Sequence, residues 1–256
     1  MVSGTREDSV LPSIPAYLRQ NSTKLRDAPA FREKEFGVWQ TWTWSEVETI
    51  VADFALGLLN LGVEEGDFIA VIGRNRPALY WSMMAAQMVG AIPVPLYQDA
   101  VAEEMGYVLE HCGARFVVAD DQEQVDKVFE IHGKLPAFEQ MIYVDPRGMR
   151  KYDHGNLHEF NVIKKAGSMA SKDLRSDLER RVAALNLDTV CVMLYTSGTT
   201  GRPKGVVLSN RNIIISALNA CKFDNLTDKE EILSYLPIAW VGDFIFTFGQ
   251  ALVVGL

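Results

Sequence analysis

Eleven consecutive residues, Tyr195-Thr196-Ser197-Gly198-Thr199-Thr200-Gly201-Arg202-Pro203-Lys204-Gly205, put four side-chain alcohols, three glycines and a lysine into one loop. Glycine lets a backbone turn through positive φ and bring its N–H groups close to a ligand. Hydroxyls donate hydrogen bonds, and the lysine adds a point charge. Such a set can cradle a polyphosphate. A plain solvated turn of Ser, Thr and Gly explains the composition less well, because the loop directly follows the apolar run Val190-Cys191-Val192-Met193-Leu194. That run reads as a buried strand.

The spacing is not that of the common phosphate loop, which needs four residues between its first glycine and a Gly-Lys-Ser/Thr end. Gly198 and Gly201 are separated by two residues, and Lys204 is followed by Gly205. Two other groupings resemble sites and read as structure. His154 and His158 are four apart beside Asp153 and Glu159, yet Gly155-Asn156 between them indicates a loop rather than a metal pair on a helix. Trp39, Trp42 and Trp44 could form a stacking platform. Trp42 and Trp44 alternate as core residues of a strand do, and the core reading is preferred for the group.

The elements that must hold the loop alternate between strand and helix. Thr43-x-x-Glu46 is a capping box before Val47, Ile50, Val51, Phe54, Leu58 and Leu61 at helical spacing, and Gly62 ends that helix. Phe68 to Ile72 is a short apolar strand, and a helix from Asn75-x-Pro77 ends at Gly90. A strand at 92–96, a helix at 101–111, a strand at 116–119, a helix at 123–131 and a strand at 141–144 follow. The alternation predicts an α/β fold, a parallel sheet with helices on both faces. Pro93 and Pro95 mark an edge or irregular strand. From 145 to 188 the pattern weakens to a connecting segment with one surface helix over 171–185. After the loop come a strand at 206–208, the cap Ser209-Asn210, a helix over 212–221 and a strand at 232–236 that leads into Pro237.

Composition bounds the function classes. The chain has 256 residues, 48% of them hydrophobic, and a formal charge of −8. Its pI near 5.1 and mean hydropathy of +0.02 describe an ordinary globular chain without a nucleic-acid-binding surface. That acidity also repels free polyphosphates, so a phosphate site must depend on local donors and a metal. Residues 1 to 9 are polar and charged rather than signal-like, and 244–256 is too short to span a bilayer. Cys112, Cys191 and Cys221 are scattered and odd in number, as free thiols in a reducing cytoplasm are.

The loop resembles the signature of the adenylate-forming (AMP-binding) enzymes, Thr-Ser-Gly-Thr-Thr-Gly-x-Pro-Lys-Gly, at every position, with Arg202 at the free one. Phe31-Arg32-Glu33-Lys34, Trp42-Thr43-Trp44-Ser45-Glu46, the stretch Asp67 to Pro77 and Gly90 to Tyr97 look like successive segments of long-chain fatty acyl-CoA synthetases. Leu236-Pro237-Ile238-Ala239-Trp240 falls where that group carries Leu-Pro-x-x-His or an aromatic variant, so Trp240 alters a wall of the acyl pocket rather than the chemistry.

The resemblance covers about residues 11 to 256. It implies a reaction in which a carboxylate, a fatty acid here, attacks the α-phosphorus of ATP and expels pyrophosphate, and coenzyme A then takes the acyl group from the acyl-adenylate, releasing AMP. On that basis Thr196, Ser197, Gly198, Thr199, Thr200, Gly201 and Lys204 bind ATP, with Thr196 and Lys204 catalytic and Thr196 nearest Mg²⁺. Trp240, Val241, Gly242 and Asp243 line the acid pocket, while Tyr97, Gln98 and Asp99 read as a plain loop. The family's large domain implies a first α/β subdomain over 64–222, with 11–62 and 225–256 beginning a second. A partial domain is expected over 1–256, without the family's carboxy-terminal domain. Peripheral membrane contact stays open. The alternatives are a nucleotide-binding module without catalysis, or adenylation of an aryl or amino acid.

Overall fold

The computed structural model describes residues 10–196 and 201–256. After α1 (Ile14–Lys24) the chain forms the antiparallel hairpin β1 (Pro29–Glu35) and β2 (Val38–Thr43). Next come α2 (Trp44–Asn60), β3 (Phe68–Ile72), α3 (Pro77–Met88), β4 (Ile92–Leu96), α4 (Ala102–Cys112) and β5 (Phe116–Ala119). Then α5 (Gln122–Ile131), β6 (Gln140–Tyr143), β7 (Leu157–Glu159), α6 (Phe160–Ser168) and α7 (Lys172–Ala184) complete the first part. A second hairpin, β8 (Val190–Thr196) and β9 (Lys204–Ser209), leads into α8 (Asn210–Asp224). The last helical stretch runs through α9 (Val241–Asp243), a π-helical segment (Phe244–Gly249) and α10 (Gln250–Val254).

The centre is a five-stranded, all-parallel sheet in the order β4-β3-β5-β6-β7. Its middle strands are apolar throughout because helices cover both faces: Ile69, Ala70, Val71, Ile72 and all of β5 are fully buried. β4 is an edge strand, as its prolines foretell. The Ile92 N–H donates to Asp67 O at 2.8 Å, so even-numbered amides on β4 face β3. Pro93 and Pro95 therefore turn their donor-less nitrogens to the edge that carries no ladder partner, where β8 packs alongside.

Local chemistry starts and stops the helices. The Glu46 N–H donates to Thr43 Oγ1 at 3.3 Å, and the Thr43 N–H donates to the Glu46 carboxylate at 2.8 Å, closing the capping box of α2. Ser209 and Asn212 form the same reciprocal cap on α8.

Three expectations need correction. The segment 145–188 is not mostly connection, since it contains β7 and α6 as well as α7. Helix α6 packs very closely on α2. A Cβ on Gly167 would lie 1.8 Å from Asp53 O, and one on Gly57 would lie 2.4 Å from Ile163 O. Phe54 and Phe160 stack at 4.3 Å beside this contact. Residues 232–236 do not form a strand: they have no ladder partner among the described residues, and Leu233 and Tyr235 are 77% and 75% exposed. The tryptophans also divide. Trp42 packs edge-on against Trp81 at 5.1 Å and Trp44 is buried as the first residue of α2, whereas Trp39 is 62% exposed. The two histidines lie apart in role. His158 on β7 bonds Gln140 at 2.8 Å, and burial lowers its pKa, while His154 lies against the Phe129 ring.

Candidate active site

Hairpin β8–β9 presents the hydroxyl- and glycine-rich loop. β8 is buried from Cys191 to Tyr195, and the side-chain amide of Gln87 on α3 donates to Cys191 O at 2.9 Å. The strand emerges at Thr196, which is exposed and stands opposite Lys204 in the antiparallel register. The two ends of the loop are thus held about 5 Å apart. Ser197, Gly198, Thr199 and Thr200, expected to bind ATP, lie outside the described residues.

Two glycines in the hairpin are needed for different reasons. Gly201 has φ +123°, a backbone setting that other residues rarely adopt. At Gly205 a Cβ would come 2.0 Å from Met193 Cε and 3.3 Å from Tyr195 Cζ. A larger residue there would push two side chains of β8 aside.

Helix α4 ties the hairpin in place from outside it. The Tyr107 hydroxyl donates to Pro203 O at 3.1 Å, and the Arg202 guanidinium lies 5.3 Å from the Tyr107 ring centre. One turn further, His111 Nδ1 and the Tyr195 hydroxyl are 2.6 Å apart. Burial raises the pKa of that phenol, so Tyr195 stays protonated and can donate to the imidazole.

A cleft of about 1380 Å³ opens between α4, the end of β4, the hairpin and the residues before α9. It brings Thr196 and Gly201 together with Trp240 and Val241, and it adds Tyr97 and Asp99, which the sequence reading treated as a plain loop. Burial, and then the Asp99 charge, raise the Tyr97 pKa. Glu103, Glu104, Glu110 and Glu130 also border the cleft, against the cations Arg202 and Lys134. An anionic nucleotide must therefore be held by the loop itself rather than by the general field of the cleft.

Lys204, Gly242 and Asp243 are not part of that lining. Lys204 is exposed at the foot of β9. Gly242 lies beneath Trp240: a Cβ there would come 2.7 Å from the indole ring, so the glycine leaves room for the tryptophan to lie flat. Asp243 is wholly buried, and desolvation raises its pKa. The Tyr80 hydroxyl donates to its carboxylate at 2.7 Å, and the Asn75 side-chain amide reaches it at 3.4 Å. That amide also bonds Ser234 Oγ and Leu236 O, each at 2.6 Å. Asn75, Tyr80 and Ser234 thereby fix the turn that carries Trp240. Sequence reasoning missed these three because they meet only in the folded chain. Tyr107 and His111, four apart on α4, offered a signal in their helical spacing.

The donors suit a nucleotide better than a dedicated metal cage. Among the described residues no group of His, Cys, Asp and Glu side chains is placed to hold an ion. A divalent cation here would have to take most of its ligands from outside the protein.

The model of the AMP-binding enzyme family matches residues 18–256. The chain belongs to the AMP-binding enzymes. Among curated relatives, the long-chain-fatty-acid–CoA ligase heimdall of Drosophila melanogaster is 29% identical over 240 residues, covering 91% of this chain and 35% of the relative. The long-chain-fatty-acid–CoA ligase FadD15 of Mycobacterium bovis is 31% identical over 209 residues, covering 80% of this chain and 33% of that one. The chain thus spans about a third of the length of these relatives. The acetoacetyl-CoA synthetase of Streptomyces lividans superposes with a TM-score of 0.79 at 20% identity, over 95% of this chain and 37% of that one, which establishes the shared fold. Residues 196–205, which begin in β8 and end in β9, are the segment that resembles the family signature position for position.

Proposed function

We propose that this chain supplies the ATP-binding part of an acid–thiol ligase that activates a long-chain fatty acid, with ATP, Mg²⁺ and coenzyme A as the other reactants. One observation carries the reading. Thr196 and Lys204 stand opposite each other at the two ends of the donor-rich loop, and Thr196 opens onto the cleft that Trp240 borders. A carboxylate and a triphosphate repel each other, so the work of the protein is positioning and charge neutralisation. Lys204 offsets charge on the β- and γ-phosphates, and loop alcohols and amides hold their oxygens. Bound Mg²⁺ supplies further neutralisation of that charge, with Thr196 as its contact. Trp240 and Val241 flank the acid, Gly242 seats the indole and Asp243 braces the turn from below. In the same reading, 64–222 form a first subdomain, and 11–62 with 225–256 begin a second.

ATP–pyrophosphate exchange by the complete protein, measured across long-chain, short-chain and aryl acids, tests this. Exchange strongest with long-chain acids is expected. No exchange with any carboxylate would sink the ligase reading, and a preference for aryl or short acids would overturn the substrate. Because the chain spans a third of its relatives, the isolated 256 residues are expected to bind ATP weakly and form no acyl-adenylate. Detectable acyl-AMP from this chain alone would contradict that expectation.

A further inference from the structure

Two side chains on one face of α4 meet the two ends of the donor-rich loop. Tyr107 and His111 lie about one helical turn apart, with ring centres separated by 5.7 Å. Tyr107 takes the closing end. Its hydroxyl donates to Pro203 O at 3.1 Å, and the Arg202 guanidinium lies 5.3 Å from its ring centre. His111 takes the opening end, where Nδ1 is 2.6 Å from the Tyr195 hydroxyl.

Each contact bears on a residue of the candidate site. Pro203 O and the Lys204 N–H belong to one planar peptide, so a bond to the carbonyl also aims the first amide of β9. The proline ring fixes φ at the same point. On the other strand, Tyr195 pairs with Gly205 and Thr196 with Lys204, two successive rungs of the ladder. A Cβ on Gly205 would come 3.3 Å from Tyr195 Cζ, the ring carbon that bears the hydroxyl. The absent side chain thus leaves room for the phenol that reaches His111. β9 has little other support: among the described residues it pairs only with β8, and Lys204, Val206 and Val207 are exposed. A two-stranded ribbon is marginal without packing, and its ends open first.

We propose that Tyr107 and His111 are positioning residues that latch the loop to α4 and hold Thr196 and Lys204 at the separation a nucleotide needs. They act through Pro203 and Tyr195 rather than on the nucleotide itself. The inference rests on the reading of this loop as the ATP site. Arg202, at the one position that the signature leaves free, gives this chain a further grip on Tyr107.

The test uses the complete protein, with KM for ATP and for the acid from ATP–pyrophosphate exchange and ATP affinity from calorimetry. Tyr107→Phe removes one bond and keeps the ring, and His111→Leu removes the other. Each is expected to weaken ATP about three- to tenfold, the worth of one hydrogen bond, and to leave KM for the acid unchanged. Without nucleotide, amides of the 195–205 peptide should exchange faster in both variants. His111→Asn should restore wild-type behaviour, because the asparagine side chain places an acceptor where Nδ1 stood. His111→Leu with Tyr195→Phe should be no worse than His111→Leu alone. Unchanged ATP affinity and peptide exchange would overturn the proposal. A fall in kcat that tracks the melting temperature, with ATP affinity unchanged, would make both residues structural and overturn it too. If the wild type binds ATP yet exchanges pyrophosphate with no carboxylate, and the variants still weaken ATP, the ligase reading fails and the latch stands. No ATP binding by the wild type would overturn both.

Discussion

The two antiparallel hairpins are built alike and end in opposite chemistry. In β1–β2 the connection is two residues long, Phe36 and Gly37, and the Phe36 ring is exposed with one face toward Arg147. In β8–β9 it runs over 197–203 and is rich in alcohols and glycine; Thr196 just before it and Pro203 at its end line the cleft. Strand pairing anchors the base in both cases: α3 receives Phe31 and Trp42, and α4 receives Pro203 and Tyr195. Beyond that shared base, the two connections differ in the chemistry of their residues. Donors and a lysine suit phosphate, whereas a Phe-Gly turn offers a phosphate no side-chain donor.

Substitutions that separate the two hairpins break or sharpen this contrast. The largest effect is expected from Lys204→Ala in the complete protein, a fall of about ten- to thousandfold in ATP–pyrophosphate exchange from lost charge stabilisation. Because Lys204 is exposed, its unfolding midpoint in urea should barely move. A loss of stability matching the loss of rate would make the lysine structural. Next come the glycines. Gly205→Val forces Met193 and Tyr195 apart and is expected to cost about 2 kcal/mol by urea unfolding. Gly37→Ala meets open space but strained φ, and about 1 kcal/mol is expected. Equal costs at both positions would mean that space and backbone angle do not distinguish the two turns.

The smallest effect lies behind the cleft. Burial raises the Asp243 pKa above its unfolded value, so the folded state holds that proton more tightly. Its contribution is therefore fully present below the ordinary aspartate pKa and is lost as pH rises through the folded value. Asp243→Asn should flatten the decline in stability between acid and neutral pH, measured by urea unfolding at each pH. An unchanged slope would show that this carboxylate is not the group responsible.

Much of the sheet was legible in the sequence. β3, β4 and β5 are short apolar runs buried on both faces, and such runs have few other uses. Pro93 and Pro95 announced the edge strand, and Thr43 with Glu46 announced the start of α2. What escaped depends on contacts between distant residues. Helix α6 is nine residues long, and its place is set by the approach of Gly57 and Gly167 to opposing backbone, which no periodicity records. The apolar residues of 232–236 suggested a strand, but a strand exists only beside a partner. At the candidate site, the sequence singles out the loop through its donors, whereas Asn75, Tyr80 and Ser234 gather around Asp243 only after folding. Trp39 shows the same limit from the other side: its neighbours Trp42 and Trp44 are built into the fold, and it is not.

Amide hydrogen exchange across both hairpins, with and without saturating Mg·ATP, tests the central claim most directly. Slower exchange in the peptide from Tyr195 to Gly205, with the tip at Phe36 and Gly37 unchanged, is the expected result. Protection that appears elsewhere while the β8–β9 hairpin exchanges as fast as before would contradict a nucleotide site in this loop.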